Sequence, residues 1–196
     1  MARKGETTRQ MIVAAAAPIF NRRGYEGTSM QDVMEATGLE KGGLYRHFSG
    51  KEELAAEALR YSLRQSVKLR IEHVDGGHGA LALLRSLVKR FVEKPSSMPG
   101  GCPLMNTAID SDDDNPTLRG LVHEALRDWR MRLIKVIGDG IRNGEIKTET
   151  VPREIANTII ASLEGALMIS RLDGNRVALT DAQKSLQVLL DRIAAE

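Results

Sequence analysis

The stretch GLEKGGLYRHFSGKEEL, residues 38–54, decides how this chain is read. It sets two adjacent glycines, Gly42 and Gly43, directly before the aromatic and basic run Leu44-Tyr45-Arg46-His47-Phe48, with helix-like sequence on both sides. A glycine inside a helix costs about 1 kcal/mol relative to alanine. The pair makes sense only if something must come very close to the backbone there. Upstream, Ser29 with Asp32 predicts the start of a short helix with Met30, Val33 and Met34 on its apolar side and Gly38 at its end. The turn Gly38-Leu39-Glu40 leads into a second short helix over 41–48, and Ser49 caps a long one beginning near Lys51. Two short helices joined by a glycine-containing turn match the helix-turn-helix pattern.

Working outward, Met11, Ile12, Ala15, Ala16, Ile19 and Phe20 form the stripe of an amphipathic helix. Thr7 with Gln10 reads as its capping box, Gly24 as its stop, and Pro18 as a kink or a lost hydrogen bond. The helix after Lys51 presents Leu54, Ala58, Leu59, Leu63, Val67 and Ile71 inward, and a glycine-rich turn over 74–79 ends it. Further helices are expected over 78–94, 116–142, 152–173 and from 180 or 181 to the C-terminus, with a short segment over 103–109. The prolines and glycines of 95–101 mark a loop, and Asp110 to Asp114 an acidic turn. No alternation of strand type and no repeat occurs, so the expected fold is all-α.

Composition fits this reading. The 196 residues are 42% hydrophobic and 28% charged, a globular balance, with only 4% aromatics. Residues 1–70 hold 12 Lys+Arg against 8 Asp+Glu, a charge of +4, and the other 126 hold 16 against 18, a charge of −2. A basic front end favours a polyanion partner, though mildly. The single cysteine, Cys102, excludes an internal disulfide and fits a reducing compartment. Arg3 and Lys4 before the apolar run 11–20 imitate a secretion signal, but Asn21-Arg22-Arg23 stands where a cleavage site should lie. No apolar stretch approaches the ~20 residues of a membrane span. A cytoplasmic protein with no membrane association is expected.

In a helix-turn-helix the second helix enters the major groove, with its N-terminal residues at the base edges. The glycine pair would then give clearance for a base or sugar. Arg46 can pair with a guanine edge or a phosphate, Tyr45 and His47 can donate to phosphates, and Lys51 stands at a helix N-terminus that suits an anion. Short helix-turn-helix units also occur in proteins that do not bind DNA, where such residues pack corners, and spacing alone leaves both readings open.

The block Gly24-Tyr25-Glu26-Gly27-Thr28-Ser29, Asp32-Val33, Gly38-Leu39, Gly43-Leu44-Tyr45-Arg46-His47-Phe48 and Lys51-Glu52-Glu53-Leu54 resembles the N-terminal domain of TetR-type repressors. The likeness spans roughly residues 8 to 54, and the remainder matches by helix number and length. It implies a helix-turn-helix DNA-binding domain over 1–50 and a helical ligand-binding and dimerisation domain over 51–196. It further implies a homodimer that represses from a palindromic double-stranded operator until a small-molecule inducer releases it. Carried over by position, the DNA-facing residues are Thr28, Lys41, Gly42, Gly43, Tyr45, Arg46, His47 and Lys51. Gly43 stands where the family often has a small hydroxyl residue, and Gly50 where it often has Asn or Asp. An activator with the same fold is the alternative outcome.

In the remaining sequence, Gly100-Gly101-Cys102-Pro103 resembles a Gly-Cys motif of one subset of these repressors, some of which sense electrophiles or oxidants. A helix N-terminus favours a thiolate, whereas a lone cysteine is more often a small buried hydrophobe. Both roles stay open for Cys102. Phe91, Cys102, Met105, Asn106, Trp129 and Met168 are candidate inducer contacts, being large or polar on helices expected to surround a cavity. Two apolar stripes, Ile155, Ile159, Leu163, Ala166 and Leu167 on one helix and Leu186, Leu189, Leu190 and Ile193 on the last, are candidates for a four-helix dimer interface. A cysteine-dependent enzyme is the rival from another class. None of His47, His73, His78 and His123 pairs with Cys102 at a meaningful spacing, and no metal-ligand pattern or cofactor motif appears, so no metal, cofactor or catalysis is expected.

Overall fold

A computed structural model describes residues 2–70, 79–111 and 115–195, the side chains of 2–4 excepted. Residues 74–78 of the expected turn, with His73 and His78, the inward Ile71 and residues 112–114 of the acidic turn lie outside the described residues. Among those described are nine helices: α1 (Ala2–Arg23), α2 (Met30–Thr37), α3 (Lys41–Tyr45), α4 (Lys51–Arg70), α5 (Ala80–Glu93), α6 (Pro103–Asp110), α7 (Pro116–Arg142), α8 (Pro152–Leu172) and α9 (Val177–Ile193). The all-α expectation holds. The only extended pairing among the described residues is a single antiparallel bridge between Ile146 and Ala194.

The chain forms two compact units, residues 1–66 with 96–125, and 67–95 with 126–196. In the first, α1 to α3 close around Ile12, Val13, Ala16, Ala17, Ile19, Val33, Leu44, Phe48, Leu54 and Ala58, all buried. Of the stripe expected on α1, Ile12, Ala16 and Ile19 are buried, Ala15 and Phe20 are half-buried and Met11 is exposed. Val13 and Ala17 are buried beside them because the inward face is turned by about one residue, and this core holds the two short helices on α1. Arg9 reinforces the base of this core: its guanidinium lies 4.7 Å over the Phe48 ring and pairs with Glu53 at 3.3 Å.

α2 begins with a full capping box: the Ser29 hydroxyl accepts from Asp32 N–H, and the Asp32 carboxylate accepts from Ser29 N–H at 2.8 Å. The Ser29 hydroxyl also donates to the Asp32 carboxylate, at 2.6 Å, and this bond with the one from Ser29 N–H, and Arg23 alongside, holds the Asp32 carboxyl down at about 2. A folded value below the unfolded one of about 3.9 means the carboxylate's contribution is present above that value and is lost as pH falls through about 2. Urea unfolding of the native chain and Asp32→Asn should therefore differ at pH 7 and converge towards pH 2. A gap that stays constant would remove the carboxylate from the cap.

Four helix limits differ from expectation for local reasons. α1 runs back to Ala2, so Thr7 lies within the helix and not at its start. α3 ends at Tyr45 and not Phe48, because the chain tightens there, with His47 N–H donating to Leu44 O at 3.0 Å. α5 begins at Ala80, whose N–H donates to the Glu145 carboxylate at 2.7 Å, a cap supplied from 65 residues away. α9 begins at Val177, where the Asn175 side-chain oxygen accepts Val177 N–H at 2.9 Å and Ser170 Oγ accepts Leu179 N–H at 3.2 Å.

In the second unit α8 packs on α9 and α5. By length and a mean hydropathy of 1.2, α8 is also a candidate membrane span. Its inner face is a protein core, however: Ala156, Ile159, Ile160, Leu163, Ala166 and Leu167 are buried. Within this unit Phe91 stacks on Trp129 (centroids 6.0 Å apart), and the Arg70 guanidinium lies 4.1 Å from the centre of the Phe91 ring and 3.9 Å from Glu164.

Candidate nucleic-acid interface

α3 is a five-residue helix of which only Leu44 is buried. Gly38, in the left-handed conformation at φ 67°, ends α2 and redirects the chain, a turn that favours glycine. With Leu44 and Phe48 anchored, Lys41, Gly42, Tyr45 and Arg46 stand exposed, and Gly43, His47 and Lys51 are half-buried. The glycine pair has no steric reason inside the chain. A Cβ on Gly42 would meet nothing within 4 Å, and one on Gly43 would touch Leu39 at an ordinary 3.6 Å. Neither adopts a positive φ. The chain's own packing therefore leaves open space beside Gly42 and room beside Gly43.

Two aromatic rings steady the cations on this surface. Lys41 Nζ sits 5.9 Å from the Tyr45 ring and Lys51 Nζ 4.2 Å from the Tyr25 ring. Tyr25 is held in turn by its backbone N–H, which donates to the Asp110 carboxylate of α6 at 2.6 Å. Burial raises the Tyr25 phenol above its usual value, with the Glu52 and Glu26 carboxylates adding to the effect, so the ring beneath Lys51 stays neutral. At the start of α4, Glu53 accepts from the Ser49 N–H and hydroxyl, both at 2.8 Å, which fixes the turn carrying Lys51.

Not every residue expected on this face lies there. Thr28 is only 1% exposed, and its hydroxyl donates to the Gly24 carbonyl at 2.8 Å, so the side chain is an internal brace of the α1–α2 turn. Tyr25 and Asp110 were the positioning residues that spacing did not reveal, their contact joining positions 85 apart.

The other candidates scatter. Cys102 is the N-cap residue of α6, as expected, but is buried at 2% exposure. Asn106 does not point at a cavity with a spare amide: it donates to Asn21 O at 3.0 Å and Gly100 O at 2.8 Å, while Asn21 donates to Pro99 O at 2.8 Å and Gly101 O at 3.1 Å. This double amide clamp ties the glycine-rich loop and α6 to the end of α1. Met105 lies half-buried on the same helix. Phe91 and Trp129 stack together in the other unit, whereas Met168 faces outward, 44% exposed. The stripes proposed for dimerisation are the internal faces of their helices. Ile159, Leu163, Ala166, Leu167, Leu186, Leu190 and Ile193 are buried within the single chain, with Ile155 and Leu189 half-buried. The outward face of α8 carries a different series, Ala161, Gly165, Met168 and Leu172, at helical spacing.

Comparison with known proteins matches residues 12–58 to the bacterial regulatory proteins of the tetR family, and residues 80–186 to a tetracyclin repressor-like C-terminal domain. The chain is 29% identical to the HTH-type transcriptional regulator LmrA of Bacillus subtilis, over 94% of this chain and 97% of that one. It is 26% identical to the HTH-type transcriptional repressor DhaR of a Mycobacterium species, over 87% and 86%. Among solved structures, a TetR transcriptional regulator from Chloroflexus aurantiacus is 38% identical, with a TM-score of 0.93 and 98% of each chain covered. One from Cytophaga hutchinsonii is 34% identical, with a TM-score of 0.91 over the same shares. Matched at both ends, this chain belongs to the TetR family and is a helix-turn-helix DNA-binding transcriptional regulator.

Proposed function

We propose that the chain is a homodimeric repressor that sits on a palindromic operator and leaves it when a small-molecule inducer binds. Residues 1–50, with Lys51 at the start of the next helix, contact DNA, and the rest of residues 51–196 holds the inducer and the dimer interface. Lys41, Gly42, Gly43, Tyr45, Arg46, His47 and Lys51 make the DNA-facing surface, and Thr28 supports it from beneath. The carrying observation is the pair Gly42 and Gly43, helical glycines against which the chain itself places nothing closer than ordinary contact. Two-fold symmetry of the dimer would put one α3 into each of two successive major grooves. Such a regulator works with the chromosome, in the bacterial cytoplasm.

Gly42→Ala separates this reading from a purely structural one. Alanine should stabilise an exposed helical site by about 0.5–1 kcal/mol. The same methyl group should weaken operator binding, because it occupies the space the DNA backbone or a base needs. A thermal melt and a gel shift on DNA flanking the gene give the two readouts. Stability and affinity rising together would contradict the assignment of α3 as the inserted helix.

For dimerisation, the outward series Ala161, Gly165, Met168 and Leu172, exposed but for the half-buried Gly165, replaces the buried stripes, and Ile169 of α8 and Val177 and Val188 of α9 are exposed as well. Small residues at two of its four positions allow close approach of a second helix. An inducer contacting the Phe91–Trp129 stack would change the emission of Trp129, the chain's single tryptophan. A ligand can release DNA only through different affinities for the bound and released arrangements.

A further inference from the structure

We propose that Glu40 reads a base: its carboxylate accepts a hydrogen bond from an exocyclic amino group in the major groove, cytosine N4 foremost, at one step of each half-site. The proposal rests on the DNA-binding reading above. Glu40 is the N-cap residue of α3, with extended backbone at φ −73° and ψ 161°. Its carbonyl accepts from Gly43 N–H at 2.9 Å and Leu44 N–H at 3.2 Å, which fixes its Cα at the leading end of the helix. The side chain does not cap that helix. Among the described residues no hydrogen bond or ion pair involves the carboxylate, and the residue is exposed.

Helix formation does not explain a glutamate here. N-caps are drawn from Ser, Thr, Asp, Asn and Gly, whose short side chains reach the N2 or N3 amide. A five-residue helix also has little macrodipole to offer an anion. Nor does contact with phosphates explain it, since an ionised carboxylate only accepts and would repel them. Its neighbours on the exposed face, Lys41 and Arg46, are cations suited to phosphates or guanine. The leading end of an inserted helix is where side chains meet base edges. In the major groove the donors available to a carboxylate are cytosine N4 and adenine N6, while guanine and thymine present acceptors. Glu40 therefore favours an amino-bearing base at its step and disfavours guanine or thymine on the same strand. The glycines that follow it allow the approach this contact needs.

The test is selection of duplexes with randomised half-sites by the native chain, Glu40→Gln and Glu40→Ala at one salt concentration, with melts confirming that all three fold alike. The native chain should prefer cytosine over thymine or guanine at one position on the order of tenfold, the size of one good base contact. Glu40→Ala should bring that position to near parity and leave the others unchanged. Glu40→Gln should move the preference towards adenine, whose N6 and N7 an amide can bridge. If Glu40→Ala instead tightens every duplex by a common factor with all base preferences intact, the carboxylate is a repulsive charge and the proposal is overturned. A folded native chain that selects no duplex at all overturns the DNA-binding reading itself, an outcome distinct from the failure of Glu40 alone.

Discussion

Phe48→Ala should lose about 3–5 kcal/mol of stability, the range for truncating a fully buried phenylalanine. Phe48 has no exposed surface and sits among Ile12, Ala16, Val33, Leu44 and Leu54 in the core that pins α2 and α3 to α1. The ring also carries the Arg9 guanidinium at 4.7 Å. Its removal leaves a cavity at the point where the α3 turn closes. Because most domains are stable by only about 5–15 kcal/mol, the helix-turn-helix should open locally well below the native melting temperature. Hydrogen exchange of the α2 and α3 amides reads this opening directly, and operator binding should fall with it. Phe48→Leu, which keeps most of the volume, should lose much less. A loss under about 1 kcal/mol for the alanine variant would mean the core relaxes around the gap, contrary to the packing described.

The second large effect concerns assembly. Met168 and Leu172 are 44% and 81% exposed, so Met168→Glu with Leu172→Glu should leave the single chain folded while placing four carboxylates in a two-fold interface. Light scattering at micromolar concentration should then report a monomer with unchanged helicity. Binding to a palindromic duplex should fall by about 10²–10⁴, the gain that linking two half-site contacts provides. Leu167→Glu is the contrasting variant. Leu167 is buried, and a charge there should unfold the second unit whether or not a dimer forms. A double variant that remains dimeric would move the interface elsewhere.

The dimer stripe shows where sequence reasoning reached its limit. α8 is apolar on more than one side, so periodicity marks a helix and an inward face without saying which apolar row meets the same chain and which meets another. The buried rows turned out to be α8 against α9 and α5 within one chain. By contrast, the helix-turn-helix was legible because its signals are local: a capping box, a left-handed glycine and an apolar pair, Leu44 and Phe48, four residues apart. The features that escaped notice join distant positions. Glu145 caps α5 from 65 residues away, Asn21 and Asn106 lock together across 85, and Asp110 holds the Tyr25 backbone across another 85. Spacing rules describe neighbours on one helix and are silent on such pairs. Thr28 is a different case: a hydroxyl at a helix start serves equally as a phosphate donor or an internal brace, and only its burial decides for the brace.

The central claim is that the exposed basic face of α3 is the DNA contact. Titrating the palindromic duplex recovered from DNA flanking the gene with the native chain and with Arg46→Ala, over a series of salt concentrations, tests it most directly. The native affinity should fall steeply and linearly in log salt as cations replace counterions on phosphates. Arg46→Ala should weaken binding by about 1–3 kcal/mol if Arg46 reads a base, with little change in slope, and should lower the slope by about 1 if it meets a phosphate. Equal affinities and equal slopes for the two proteins would contradict the account.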